Sequence, residues 1–138
     1  MASIYDRVTV IEQGGKYLDE NGVLVAVQRA AIGAATSGNN TLLAALTGKI
    51  RVLSMALVAG ASGNIYFTSG EGGTIIFGDS TNKIQLAANG GFVLPFNKDG
   101  WFETAAAQLL NMNASSTGPF SGGFTYVEIA SPSAVQQG

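Results

Sequence analysis

Turn chemistry recurs along this chain about every 8–12 residues, the spacing of an all-β sandwich or barrel. Gly14-Gly15, Asn21-Gly22, Ser62-Gly63, Gly72-Gly73, Asn89-Gly90-Gly91, Asp99-Gly100 and Gly122-Gly123 are all turn formers. Between them lie short runs rich in β-branched and aromatic residues, at 23–28, 42–46, 49–59, 64–68, 74–77, 83–86, 92–96, 107–114 and 123–129. Helical signals are weak. Thr104-Ala-Ala-Ala-Gln-Leu-Leu could form a turn or two of helix, but it runs into the alternating Asn111-Met-Asn-Ala, and the whole of 107–114 is assigned to a strand.

Periodicity within the runs indicates what must be covered. Over 49–59, strict alternation places Ile50, Val52, Ala56 and Val58 on one face and Leu53, Met55 and Leu57 on the other. A strand apolar on both faces needs cover on both. A neighbouring subunit could supply the second cover, and so could a loop or the N-terminal segment of the same chain. At the end of the chain, Phe124, Tyr126 and Glu128 alternate with Thr125, Val127 and Ile129.

The sequence divides into three parts. Residues 1–20 hold 6 of the 16 charges, with Val8 and Val10 alternating around a polar position. They are read as an arm that reaches over a neighbour or pairs at a sheet edge. Residues 21–130 form the β-sandwich domain, and the polar, Pro-broken 131–138 a flexible tail.

Charge is sparse. Seven basic and nine acidic residues make up 12% of the chain, against ~25% in an ordinary soluble domain. That deficit suits a subunit whose surface is partly covered by copies of itself. Without His or Cys, the chain offers no imidazole base, thiol nucleophile or Cys/His zinc site. No metal or cofactor is expected. The basic residues are scattered and the net charge is −2, so neither nucleic acid nor a membrane surface is an expected partner. The most apolar run, 52–61, is far short of the ~20 residues of a bilayer span. The opening MASIYDRVTV lacks the basic and apolar regions of a signal peptide, so a chain made in the cytoplasm and not exported by the standard route is expected.

Several segments look like chemistry and lack an essential part. Gly33 to Gly38 has P-loop glycine spacing without its Lys and hydroxyl, and Gly70-Glu-Gly-Gly breaks the dinucleotide pattern. Asp19-Glu20-Asn21-Gly22 reads as a hairpin turn. Glu103 and Glu128 are the carboxylates with aromatic neighbours, the minimum for a glycosidase pair. The chain is nevertheless expected not to be an enzyme. Phe92, Phe96, Trp101 and Phe102 form an aromatic cluster suited to a core or an interface. Lys49 and Arg51 share a strand face, where Asp99 or Glu103 could pair with them. Candidate interface residues are Tyr5, Val8, Val10, Arg51, Leu53, Met55, Trp101 and Phe102.

Three stretches carry a family likeness: Thr47-Gly-Lys-Ile-Arg-Val-Leu-Ser54, Leu86-Ala-Ala-Asn-Gly-Gly-Phe-Val-Leu-Pro95 and Gly100-Trp-Phe-Glu-Thr104. Across Thr47 to Ile129 the chain resembles the capsid decoration, or cement, proteins of tailed bacteriophages. The resemblance implies a jelly-roll-like antiparallel β-sandwich with an extended N-terminal arm. It also implies a homotrimer on the outer capsid surface of the virion, bound to the major capsid protein, with terminal arms tying subunits together. No catalytic residue is implied. The alternative is a receptor- or carbohydrate-binding module of a phage tail or fibre, with Trp101 and Tyr126 lining a sugar site.

Overall fold

The computed structural model describes residues 16–130 and is all-β, with twelve strands and no helix among those residues. The strands are β1 (Lys16–Leu18), β2 (Leu24–Ala26), β3 (Gln28–Ala34), β4 (Gly38–Leu43), β5 (Lys49–Ala59) and β6 (Gly63–Ser69) in the first half. They continue with β7 (Thr74–Phe77), β8 (Ile84–Leu86), β9 (Gly91–Leu94), β10 (Phe102–Glu103), β11 (Leu110–Ala114) and β12 (Phe120–Ile129).

Pairing is nested. β6 pairs with β7 and β8, β5 with β9 and β10, β4 with β11, and β3 with β12, all antiparallel. Lateral β12–β5 and β11–β6 pairing then closes two sheets. The first sheet runs β3, β12, β5, then β9 and β10 end to end; the second runs β4, β11, β6, then β7 and β8. The two pack face to face as an antiparallel β-sandwich. Ile32, Val52, Leu57, Phe120 and Phe124 of the first sheet meet Ile65, Phe67, Leu110 and Met112 of the second in one buried cluster. Phe102 closes one end of this core, stacked on Phe67 with ring centroids 5.2 Å apart and 4.9 Å from Phe77.

Three expectations are corrected here. The strict alternation over β5 fails because Thr125 pairs with Ser54 while the next residue, Tyr126, pairs with Val52. Leu53 is the extra residue of a β-bulge, and one extra residue reverses the side-chain parity beyond it. Ile50 and Val52 therefore face the core together with Met55, Leu57 and Ala59. Ala56 and Val58, expected beside Val52, are turned outward and exposed. The second correction concerns 107–114, where the strand begins only at Leu110. Thr104 Oγ1 accepts from Ile50 N, and Ala105 N donates to Ser69 Oγ. These bonds hold 104–109 as a loop, in which Ala107 adopts φ 62°.

The third is β3. Its Gln-Arg-Ala-Ala-Ile-Gly-Ala sequence has little intrinsic β-propensity, and the residue pattern marks no strand over 29–34. It is a strand because β12 pairs with it from Gln28 through Ala34, directing Ile32 and Ala34 into the core. Part of the expected arm is also folded. Residues 16–20 form β1 and the start of its turn, so β1 and β2 make a hairpin laid against the first sheet. Tyr5, Val8, Val10 and the 131–138 tail lie outside the described residues.

Candidate functional site

The outer face of the first sheet is split into a covered half and an open half. At the covered end, Leu53, Val127 and Ile129 project outward yet are buried, with Leu53 and Val127 at 0% exposure. The β1–β2 hairpin roofs them through Tyr17, Val25 and Val27. The second apolar face of β5 is therefore covered, at this end, by the chain's own N-terminal hairpin.

An ionic latch fastens that roof. Arg51 is buried amid the apolar β5, where a lone guanidinium needs partners. Its Nη1 and Nη2 donate to Glu20 Oε1 and Oε2 at 2.9 and 2.7 Å, a bidentate pair. Nε donates to Glu103 Oε1 at 2.8 Å, and Nη1 also donates to the Tyr17 hydroxyl at 3.0 Å. Tyr17 in turn donates to the Lys98 carbonyl. The Arg51 hydrogen bonds hold the Glu20 carboxyl down at about 2, and Glu20 foremost raises the guanidinium above its ordinary value. Lys49 Nζ lies 3.3 Å from Glu103 Oε2. Of the two acids expected to pair with these cations, Glu103 takes both. The turn is set by Asp19, whose Oδ1 accepts from the backbone N–H groups of Asn21 and Val23 at 2.9 Å each.

Beyond the bulge the same face is open, with no described residue covering it. Small side chains make its floor: Ala31 of β3, Gly123 and Thr125 of β12, Ser54 and Ala56 of β5. The Ser54 and Thr125 hydroxyls hydrogen-bond to each other across the floor. Val93 and Pro95 form one wall of a groove of about 570 Å³, and Arg29 is the one charged residue lining it. Val93 is 71% exposed, Phe96 just beyond it 62%, and Val58 50%. The outer face of the second sheet has the opposite character. There Asn111 Nδ2 donates to Asn39 Oδ1 and Thr68 Oγ1, both at 3.0 Å, and Asn113 reaches the same Asn39 oxygen.

The candidate residues fall into separate environments. Met55 and Phe102 fill the core between the sheets, and Leu53 and Arg51 lie beneath the hairpin. Of the described candidates, Trp101 alone keeps an exposed ring, with its indole N–H donated to the Pro95 carbonyl at 2.7 Å. Tyr126 packs against the inter-sheet core beside Phe124, so Trp101 and Tyr126 do not form one sugar platform. Glu103 pairs in register with the outward Arg51, and Glu128 with the inward Ile50. Their carboxylates point to opposite sides of the sheet and do not share a cleft. No group of three or more potential metal-ligating side chains gathers among the described residues.

Two features escaped sequence reasoning: the Glu20–Tyr17 side of the latch and the groove floor. Arg51 inside a two-faced apolar run was a usable signal for the first. The second depends on the bulge and on β3, neither of which the residue pattern announced. Compared with known proteins, the chain matches no family model, no curated protein and no solved structure.

Proposed function

We propose that this chain is a structural virion protein of the capsid decoration type, a homotrimer that binds the major capsid protein on the outer surface of a bacteriophage capsid and cements it. One observation carries this reading: the open half of the first sheet's outer face, a groove floored by small uncharged residues, walled by exposed apolar ones and lined by a single charge, Arg29. Large exposed apolar patches mark interaction surfaces, and this one belongs to a chain with few charges elsewhere. Support also comes from the nested strand order, with eight strand positions wrapped into two four-position sheets. That is the order expected of the jelly-roll sandwich to which the resemblance points.

The mechanism is burial across the seams between capsid subunits. About 1,500 Å² of total footprint per copy, half or more of it apolar, gives ~20 kcal/mol at ~25 cal/mol per Å² before association costs. A small net remainder, repeated over a shell, resists internal pressure. The test is to add the purified protein to capsids that lack it and record their thermal transition. An upward shift that saturates with added protein is expected, and an unchanged transition rejects the proposal.

A further inference from the structure

We infer that the outer face of the second sheet is a binding site for neutral oligosaccharide, with Tyr66 as its stacking platform and the side-chain amides of Asn39, Asn64, Gln85 and Asn113 as its hydrogen-bonding groups. This face lies on the far side of the sandwich from the apolar groove, and glycan binding there neither requires nor precludes the capsid reading. On β6, Asn64, Tyr66 and Thr68 alternate with the core residues Ile65 and Phe67; on β11, Asn111 and Asn113 alternate with Leu110, Met112 and Ala114. Register makes one surface of them. Asn113 stands opposite both Tyr66 and Asn39, and Asn64 stands opposite Gln85. Directly opposed side chains have Cβ atoms ~4.5–5.5 Å apart, so the ring and the amides are neighbours.

The amides are held in a fixed orientation. Asn39 Oδ1 accepts from Asn111 Nδ2 at 3.0 Å and from Asn113 Nδ2 at 3.4 Å. With those bonds made, the Asn39 Nδ2 donors and the Asn113 Oδ1 acceptor are left over. A donor beside an acceptor is the pattern that two adjacent sugar hydroxyls match, since each hydroxyl both donates and accepts. Asn111 anchors the set. It is fully buried, donates also to Thr68 Oγ1 at 3.0 Å, and its Oδ1 has no hydrogen-bond partner among the described residues. Burying an incompletely satisfied amide is costly, and what it secures here is a pre-oriented pair of amides at the surface. Pre-orientation lowers the entropy lost on binding.

The rest of the face suits the same ligand. Asn64 and Gln85 continue the polar surface into a hollow of about 640 Å³, which they line together with Ser62, Ser115 and Ser116. Tyr66 is half-buried, and Lys83 Nζ lies over its ring, 5.8 Å from the centroid. A ring with an apolar face and a polar tip matches a sugar, whose C–H face stacks while its hydroxyls reach the neighbouring amides. Lys83 is the single charge among these residues, so no carboxylate or guanidinium selects an ionic ligand. A protein-docking patch carries an apolar centre, which these side chains do not supply.

The experiment probes an array of glucan, mannan, galactan and N-acetylhexosamine oligomers, with sialylated and uronate-bearing oligosaccharides beside them, using the labelled full chain. Calorimetry on the best neutral oligomer follows. The variants are Tyr66→Ala, Asn113→Ala and Gln85→Ala, with Trp101→Ala and Val93→Asp as controls off this face, each verified by a circular-dichroism melt. Binding to a neutral oligosaccharide is expected, weakened about tenfold or more by Tyr66→Ala and by Asn113→Ala and unchanged by the controls. Gln85→Ala alters an exposed side chain, so a loss of about threefold or more there keeps the test valid should the other two fail to fold. Absence of binding to every neutral oligosaccharide overturns the inference, as does binding that survives the three substitutions. Loss on Trp101→Ala overturns it by moving the site off this face, and binding confined to the acidic oligosaccharides overturns the ligand class. Capsid melts separate the two proposals. Tyr66→Ala should stabilise capsids as the wild type does, whereas a chain that binds glycan without stabilising capsids rejects the capsid reading alone.

Discussion

Leu53→Ala tests whether the N-terminal hairpin is an integral roof of this sandwich. Leu53 is fully buried although the bulge places it on the outer face, and its neighbours Tyr17, Val25, Val27, Val127 and Ile129 form a cluster separate from the inter-sheet core. Truncating a buried Leu costs about 2–5 kcal/mol, the larger values arising where surroundings cannot collapse into the cavity. A two-strand roof of short strands can settle partway, so the expected loss is ~3 kcal/mol. With an unfolding entropy of ~2.1 cal/mol/K per residue, that lowers the melting temperature by about 10 °C for a chain of this length. Urea denaturation followed by circular dichroism measures the loss. Val58→Ala, at a half-exposed position on the open half of the same face, serves as the control and should change stability by less than ~0.5 kcal/mol. The variant should also be cleaved by protease within 16–26 before the sandwich itself opens, because the roof becomes the least stable unit. A loss under ~1 kcal/mol refutes the reasoning. So does a loss that vanishes with increasing protein concentration, since the cover would then come from another chain.

Two further predictions concern the latch and the sheet. The folded-state Glu20 carboxyl sits at about 2 against an ordinary 4.5, so it stabilises the hairpin above pH 4.5 and ceases to as pH falls toward 2. Glu20 is largely exposed, which limits the effect to ~1 kcal/mol or less; Glu20→Gln should flatten the stability profile between pH 4.5 and 2, and an unchanged slope counts against the latch. Gly122→Ala should cost more than ~3 kcal/mol, because a Cβ there would overlap the Ala56 carbonyl oxygen on the neighbouring strand. Gly33→Ala, with open space at its Cβ, should instead be neutral or stabilising by up to ~1 kcal/mol; equal melting temperatures for the two variants would contradict this contrast.

Much of the fold was legible because alternation and turn residues act locally. Val127 and Ile129 were correctly placed on the face opposite Phe124 and Tyr126, since β12 carries no extra residue and its period of two runs unbroken. On β5 the same reasoning failed at a single residue. Alternation treats every position as one step, whereas the bulge spends two positions, Leu53 and Ser54, opposite Thr125. Up to Leu53 the alternation holds, and beyond it every side chain falls on the side opposite to the one alternation predicts. β3 failed for a different reason: its Ala and Gly residues have no strand preference, and a partner distant in sequence, with Phe120 opposite Ala34 at one end and Tyr126 opposite Gln28 at the other, makes it a strand.

These two blind spots coincide with the open groove. Its floor consists of the β5 residues that the bulge turns outward and the small β3 residues that no propensity marks, so a surface of this kind leaves little trace in a residue pattern. The charges follow the same division. Glu20, Lys49, Arg51 and Glu103 are gathered around the roofed half, while the open half carries Arg29 alone among its lining residues. Covering an apolar sheet with a charged, latched hairpin makes that half soluble by itself. Leaving the other half smooth and nearly uncharged confers no comparable benefit on a chain in isolation, and becomes advantageous once another surface is laid against it.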